Sequence, residues 1–130
     1  IQELLGKIDQ GGPFEAGLRA LIYIRLPENA ADERGMEMIQ RIRAEKGAQM
    51  TLDEFKQAMR EQYLMFMLDE QRAMEAIPGM LEGHKAEAAE MMKYVREIVA
   101  AVGSSNEEVQ KRLNEVELLF GQKKTGKGKN

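Results

Sequence analysis

The sequence predicts an all-α fold, a compact bundle of about five helices around a long central one. Three observations carry this. Apolar residues recur at spacings of three and four along most of the 130 residues. Two helix starts carry a capping box, Thr51 with Glu54 and Ser105 with Glu108. No run alternates with period two for long enough to form a strand, and only Leu21–Leu26, rich in Ile and Tyr, is ambiguous.

Glycines and prolines divide the helices. Gly11, Gly12 and Pro13 mark the first start, where a proline's missing N–H is not needed. Phe14, Leu18, Leu21 and Ile22 follow as a helix stripe, and Pro27 stops it. Asp32 and Glu33 open a second segment with Met36, Ile39 and Ile42 as its stripe and Gly47 past its end. The third helix begins at the Thr51–Glu54 box, with Met50 and Phe55 as a hydrophobic staple. Phe55, Met59, Tyr63, Phe66, Met67 and Met74 run along one side, and Leu64, Met65 and Leu68 widen the apolar face. That breadth marks it as the central helix, ending at Ile77 before Pro78 and Gly79. The fourth helix runs from about His84 to Val102, with Ala88, Met91, Met92, Val95, Ile98, Val99 and Val102 as its stripe. Val109, Leu113, Val116 and Phe120 carry the fifth to Gly121. An apolar helix, a break and an acidic helix start occur twice, at Leu21–Ile42 and Ile98–Leu118. Two pseudo-symmetric hairpins would produce that echo, and so would chance.

Residues 1–12 read as a lead-in, 13–121 as one helical domain and 122–130 as a disordered basic tail. The chain begins without methionine and reads as a trimmed product or a region excised from a longer protein. There is no cysteine, which removes disulfides, zinc–thiolate sites, iron–sulfur clusters and thiol nucleophiles and suits a reducing cytoplasm. No apolar run approaches the ~20 residues of a membrane span. Four of the 19 lysines and arginines fall in the tail Lys123–Asn130, leaving residues 1–122 with 15 against 22 acids, a net −7. So acidic a body is a poor partner for nucleic acid.

Asn29, Asp32 and Glu33 gather oxygen ligands between two helices, and Asp32 with Glu33 are the metal candidates. The ligand spacing of an EF-hand is missing, and two acids at a helix start are also what its positive pole attracts. Capping is therefore the favoured role, and no metal or other cofactor is expected. His84, the single histidine, follows Gly83 at a helix start, with no nucleophile motif to serve. Asp69 and Glu70 could form half of a carboxylate pair, but ion pairing with Arg72, Arg60 or Arg34 is the commoner fate. No catalytic residue is assigned. Ten methionines are more than one small core uses, and methionine favours adaptable contact surfaces. Met38 and Met65 lie outside the tidy stripes and are the interface candidates.

The stretch RALIYIRLPENAADERGMEMIQRIR, Arg19 to Arg43, and FKQAMREQYLMFMLDEQRAMEAIPGML, Phe55 to Leu81, resemble the C-terminal helical region of bacterial proteins related to poly-3-hydroxyalkanoate synthetases, members of the alpha/beta-hydrolase superfamily. The resemblance covers about Phe14 to Val102. It implies that any hydrolase chemistry sits upstream, since this chain has no G-x-S-x-G elbow and no strands to carry one. The helical plan also resembles, more distantly, tellurite-resistance TerB-like domains. That likeness implies acidic metal or small-ligand binding, but the typical Asp–Gly loop is absent: Glu33 follows Asp32 and Ser104 follows Gly103. The expected function is a non-catalytic accessory or interaction domain, self-associating or docking on the upstream part of its own chain. The alternative is a TerB-like binding bundle.

Overall fold

The computed structural model describes residues 2–25, 51–101 and 107–121, and every regular element among them is a helix. In order these are α1 (Gln2–Lys7), α2 (Pro13–Arg25), α3 (Leu52–Leu68), α4 (Glu70–Glu75), α5 (Ile77–Leu81), α6 (Lys85–Ala101) and α7 (Glu107–Gly121). The all-α bundle expected from the spacing is what forms.

Its centre is α2 rather than the long α3. Every residue from Ala16 to Ile22 is buried, so α2 is enclosed around its whole circumference and packs on α3, α5, α6 and α7. Small residues make this crowding feasible. At Gly17, an added Cβ would lie 2.5 Å from both Cγ and Sδ of Met91 on α6. Tyr23 and Ile24, in the strand-ambiguous run, are the last turns of this helix.

The long third helix expected from the spacing divides into α3 and α4, and its expected last residue, Ile77, opens α5. Asp69 ends α3 by donating its N–H to the Met65 carbonyl, and its Oδ1 then accepts from the Arg72 N–H to start α4. The chain does not stop at Pro78 either. Pro78 sits in the first turn of α5, where no intrahelical donor is required, and the helix continues to Leu81. Gly83, at φ +81°, then turns the chain toward α6 in a conformation that side chains with a Cβ disfavour.

Other elements follow their patterns. The Thr51–Glu54 box is formed on both sides, at 2.9 and 3.1 Å. Ala88, Met92, Val95, Ile98 and Val99 of α6 and Val109 and Val116 of α7 are buried, while Met91, Leu113 and Phe120 of the same stripes are half-buried. The presumed lead-in contributes α1, which packs on α3, and Ile8, which is fully enclosed. Met50, the second helical segment, Ser105 and the tail lie outside the described residues, and so does one half of the pseudo-symmetric echo.

Candidate functional site: an acidic groove, an apolar helix face and a buried arginine

Arg19 lies at the centre of the bundle with no solvent exposure. Its Nε donates to Gln62 Oε1 on α3 at 2.9 Å, and its Nη1 donates to the carbonyls of Ile8 at 3.0 Å and Ala73 at 2.9 Å. Those carbonyls sit just past α1 and in the last turn of α4, where helix ends leave acceptors without intrahelical donors. One planar guanidinium thus ties four segments together. Its Nη2 has no hydrogen-bond partner among the described residues. Burial pulls its pKa down to about 10, against the opposing charges of Asp9 and Glu15, so it stays a cation near neutrality.

A groove of about 560 Å³ opens between α4 and α7. Glu70, Gln71, Met74 and Glu75 share one face of α4, and Glu115, Leu118 and Leu119 share one face of α7. Tyr23 of α2 forms the floor, its ring edge-on to Phe66 with centroids 6.0 Å apart. The Tyr23 hydroxyl donates to Glu115 Oε1. Arg112 lies 4.6 Å above the Tyr23 ring, donates to the Tyr23 carbonyl at 2.9 Å and pairs with Glu108 at 3.1 Å. Glu70, Glu75 and Glu115 make no ion pair with a lysine or arginine among the described residues.

This environment pushes the Tyr23 phenol up to about 12. Desolvation is the main cause, followed by the hydrogen bond to Glu115 and the Glu115 charge, while Arg112 opposes them. A pKa raised on folding means that the native state holds the proton longer than the unfolded chain. The stabilisation is therefore fully present below the ordinary value of 10.0 and is lost as pH rises toward 12. Glu115→Gln keeps an acceptor and removes the charge, so the phenolate absorbance of Tyr23 should appear at lower pH. An unchanged titration midpoint would show that Glu115 does not govern this phenol.

The second surface is on α3. Tyr63 (46% exposed), Leu64 (42%), Met67 (59%) and Leu68 (40%) occupy adjacent positions on one side of its C-terminal half. Two expectations change here. Tyr63 and Met67 belong to this open face and not to the core stripe. Met65, taken as an interface candidate, is only 2% exposed and points inward beside Phe66 at 1%, so it cannot line an open patch. The other candidates, Met38, Asp32 and Glu33, lie outside the described residues. His84 is exposed and precedes α6. Asp69 spends its carboxylate on a backbone cap, Arg72 reaches Asp9 at 3.1 Å, and Glu70 faces the groove.

Among the described residues no group of three or more His, Cys, Asp or Glu is placed to hold a metal ion, and no helix is long and apolar enough to cross a membrane. Reading the sequence missed both Arg19 and the groove. An arginine within LRALI was a visible irregularity, yet its partners come from three remote segments. No protein-family model and no solved structure matches the chain. A Rhizobium meliloti protein described as an uncharacterized protein in the ackA 5′ region is similar to it, 37% identical over 123 residues. The match takes in 93% of this chain but spans only 17% of the length of that relative.

Proposed function

We propose that this chain is a non-catalytic helical accessory domain that docks onto another part of a longer, hydrolase-like polypeptide related to the poly-3-hydroxyalkanoate synthetases, in the cytoplasm. The observation that carries the docking role is the open apolar face of Tyr63, Leu64, Met67 and Leu68. Four large apolar side chains side by side on one helix keep water-exposed area that a partner would remove. The occupant is the remainder of the polypeptide, because the similar Rhizobium protein embeds its matching stretch in a much longer chain. The hydrolase-like parentage rests on the resemblance of Arg19–Arg43 and Phe55–Leu81 described above.

The test titrates the chain, and a Leu64→Ser/Met67→Ser variant, against the remainder of the polypeptide encoded in frame with it. Sedimentation of the chain alone measures self-association. Both substitutions lie on the exposed face, so circular dichroism should not change, while binding should weaken at least roughly tenfold. Equal binding by the variant would remove the α3 face from the interface. A chain that neither docks nor self-associates at tens of micromolar concentration would end the interaction reading.

A further inference from the structure

We propose that the groove between α4 and α7 seats a cationic amphipathic helix of the docking partner. The helix would lay its apolar face on Leu118 and Leu119 and set lysine or arginine side chains against Glu70, Glu75 and Glu115. This rests on reading the chain as a docking domain, and it gives the chemistry of one segment that the domain takes.

Shape argues for a helix. The groove walls are two helices, each presenting residues one turn apart: Glu70, Met74 and Glu75 on one side, Glu115, Leu118 and Leu119 on the other. A trough between two helices matches the side-chain ridge of a third. Leu118 argues for a macromolecular occupant. It is 67% exposed, the most exposed large apolar side chain in the described residues, and stands at the groove rim. A small cation or polyamine would leave it in water, whereas the apolar side of a helix would cover it.

Charge selects the sign. Three carboxylates line the groove without a cationic partner among the described residues, because Arg112 is engaged by Tyr23 and Glu108. Glu115 and Glu70 both favour the protonated Tyr23 phenol and Arg112 opposes them, so the groove floor lies within reach of both carboxylates. A neutral or acidic helix would desolvate these carboxylates without replacing the lost water. Two copies of this chain meeting groove to groove would set the six carboxylates against each other. A lysine- or arginine-bearing helix supplies the missing charge and gains encounter rate from the same field.

The probe is a fluorescent leucine–lysine amphipathic peptide of about 20 residues, long enough to hold a helix. It is titrated at two salt concentrations against the whole chain, Leu118→Ser, Glu70→Gln/Glu75→Gln, and a control with the same charge loss, Asp53→Asn/Glu87→Gln. Circular dichroism confirms the fold of each. Leu118→Ser should weaken binding roughly tenfold at either salt, as expected for a buried apolar anchor. The Glu70→Gln/Glu75→Gln variant should lose a similar factor at low salt and show a flatter salt dependence, while the control stays within about twofold. Nuclear magnetic resonance shifts should centre on Gln71, Met74 and Leu118. Absent binding, equal weakening by the control, or shifts spread over all acidic surfaces would overturn the proposal. Leu64→Ser/Met67→Ser should bind the peptide normally. Loss of peptide binding with intact docking through α3 would therefore remove the groove assignment and leave the docking domain standing.

Discussion

Arg19→Ala should destabilise the domain by more than about 3 kcal/mol, measured as a shift in the urea midpoint. The substitution removes three hydrogen bonds at once and leaves Gln62 and the carbonyls of Ile8 and Ala73 facing a void. A buried acceptor stranded in this way costs about 1–3 kcal/mol, and the cavity adds to that. Arg19→Lys keeps the charge but has one ammonium on a flexible stem. It cannot reproduce a planar fork that reaches Gln62 and two carbonyls, so it should recover less than half of the loss. If alanine leaves the midpoint unchanged, these hydrogen bonds do not hold α1, α3 and α4 to α2.

Phe66→Ala should cost about 3–5 kcal/mol, the range for emptying a well-packed aromatic site. Phe66 is 1% exposed and meets the Tyr23 ring edge-on, so its loss removes packing beneath the groove floor as well as core volume. Met67→Ala, one residue away and 59% exposed, should change stability by less than about 0.5 kcal/mol. Similar effects at the two positions would show that the inner and outer faces of α3 are misassigned.

That pair of neighbours also shows where the sequence was readable and where it was not. For α6 and for the stripe Val109–Val116 of α7, Val95, Ile98, Val109 and Val116 are buried as spacing alone indicates, whereas Leu118 lies off that stripe and is exposed. The run Tyr63–Leu68 is apolar on every side of the helix, so periodicity cannot say which side faces the core. The choice is made by α2, whose residues Ala16 to Ile22 are buried all round and which leaves Phe66 inside and Tyr63 and Met67 outside.

The break at Asp69 was hidden for a different reason. An acid between Leu68 and Glu70 looks like any exposed helix position, and only the bond from Arg72 N–H to its carboxylate turns it into a cap. The groove follows from that break. With α3 uninterrupted, Glu70, Met74 and Glu75 would continue along the α3 axis and would not form a separate wall opposite α7. Spacing on α7 places Glu115, Leu118 and Leu119 on one face, but nothing local pairs them with α4 or Tyr23.

Methionine methyl resonances offer the most direct measure of docking through α3, because one exposed and one enclosed methionine lie two residues apart. In the isolated chain a soluble paramagnet should broaden the Met67 methyl and spare Met65, following exposures of 59% and 2%. On addition of the remainder of the polypeptide, the Met67 methyl should shift and become protected, with Met65 unchanged. A Met67 methyl that stays equally accessible in the saturated mixture would contradict docking through this face.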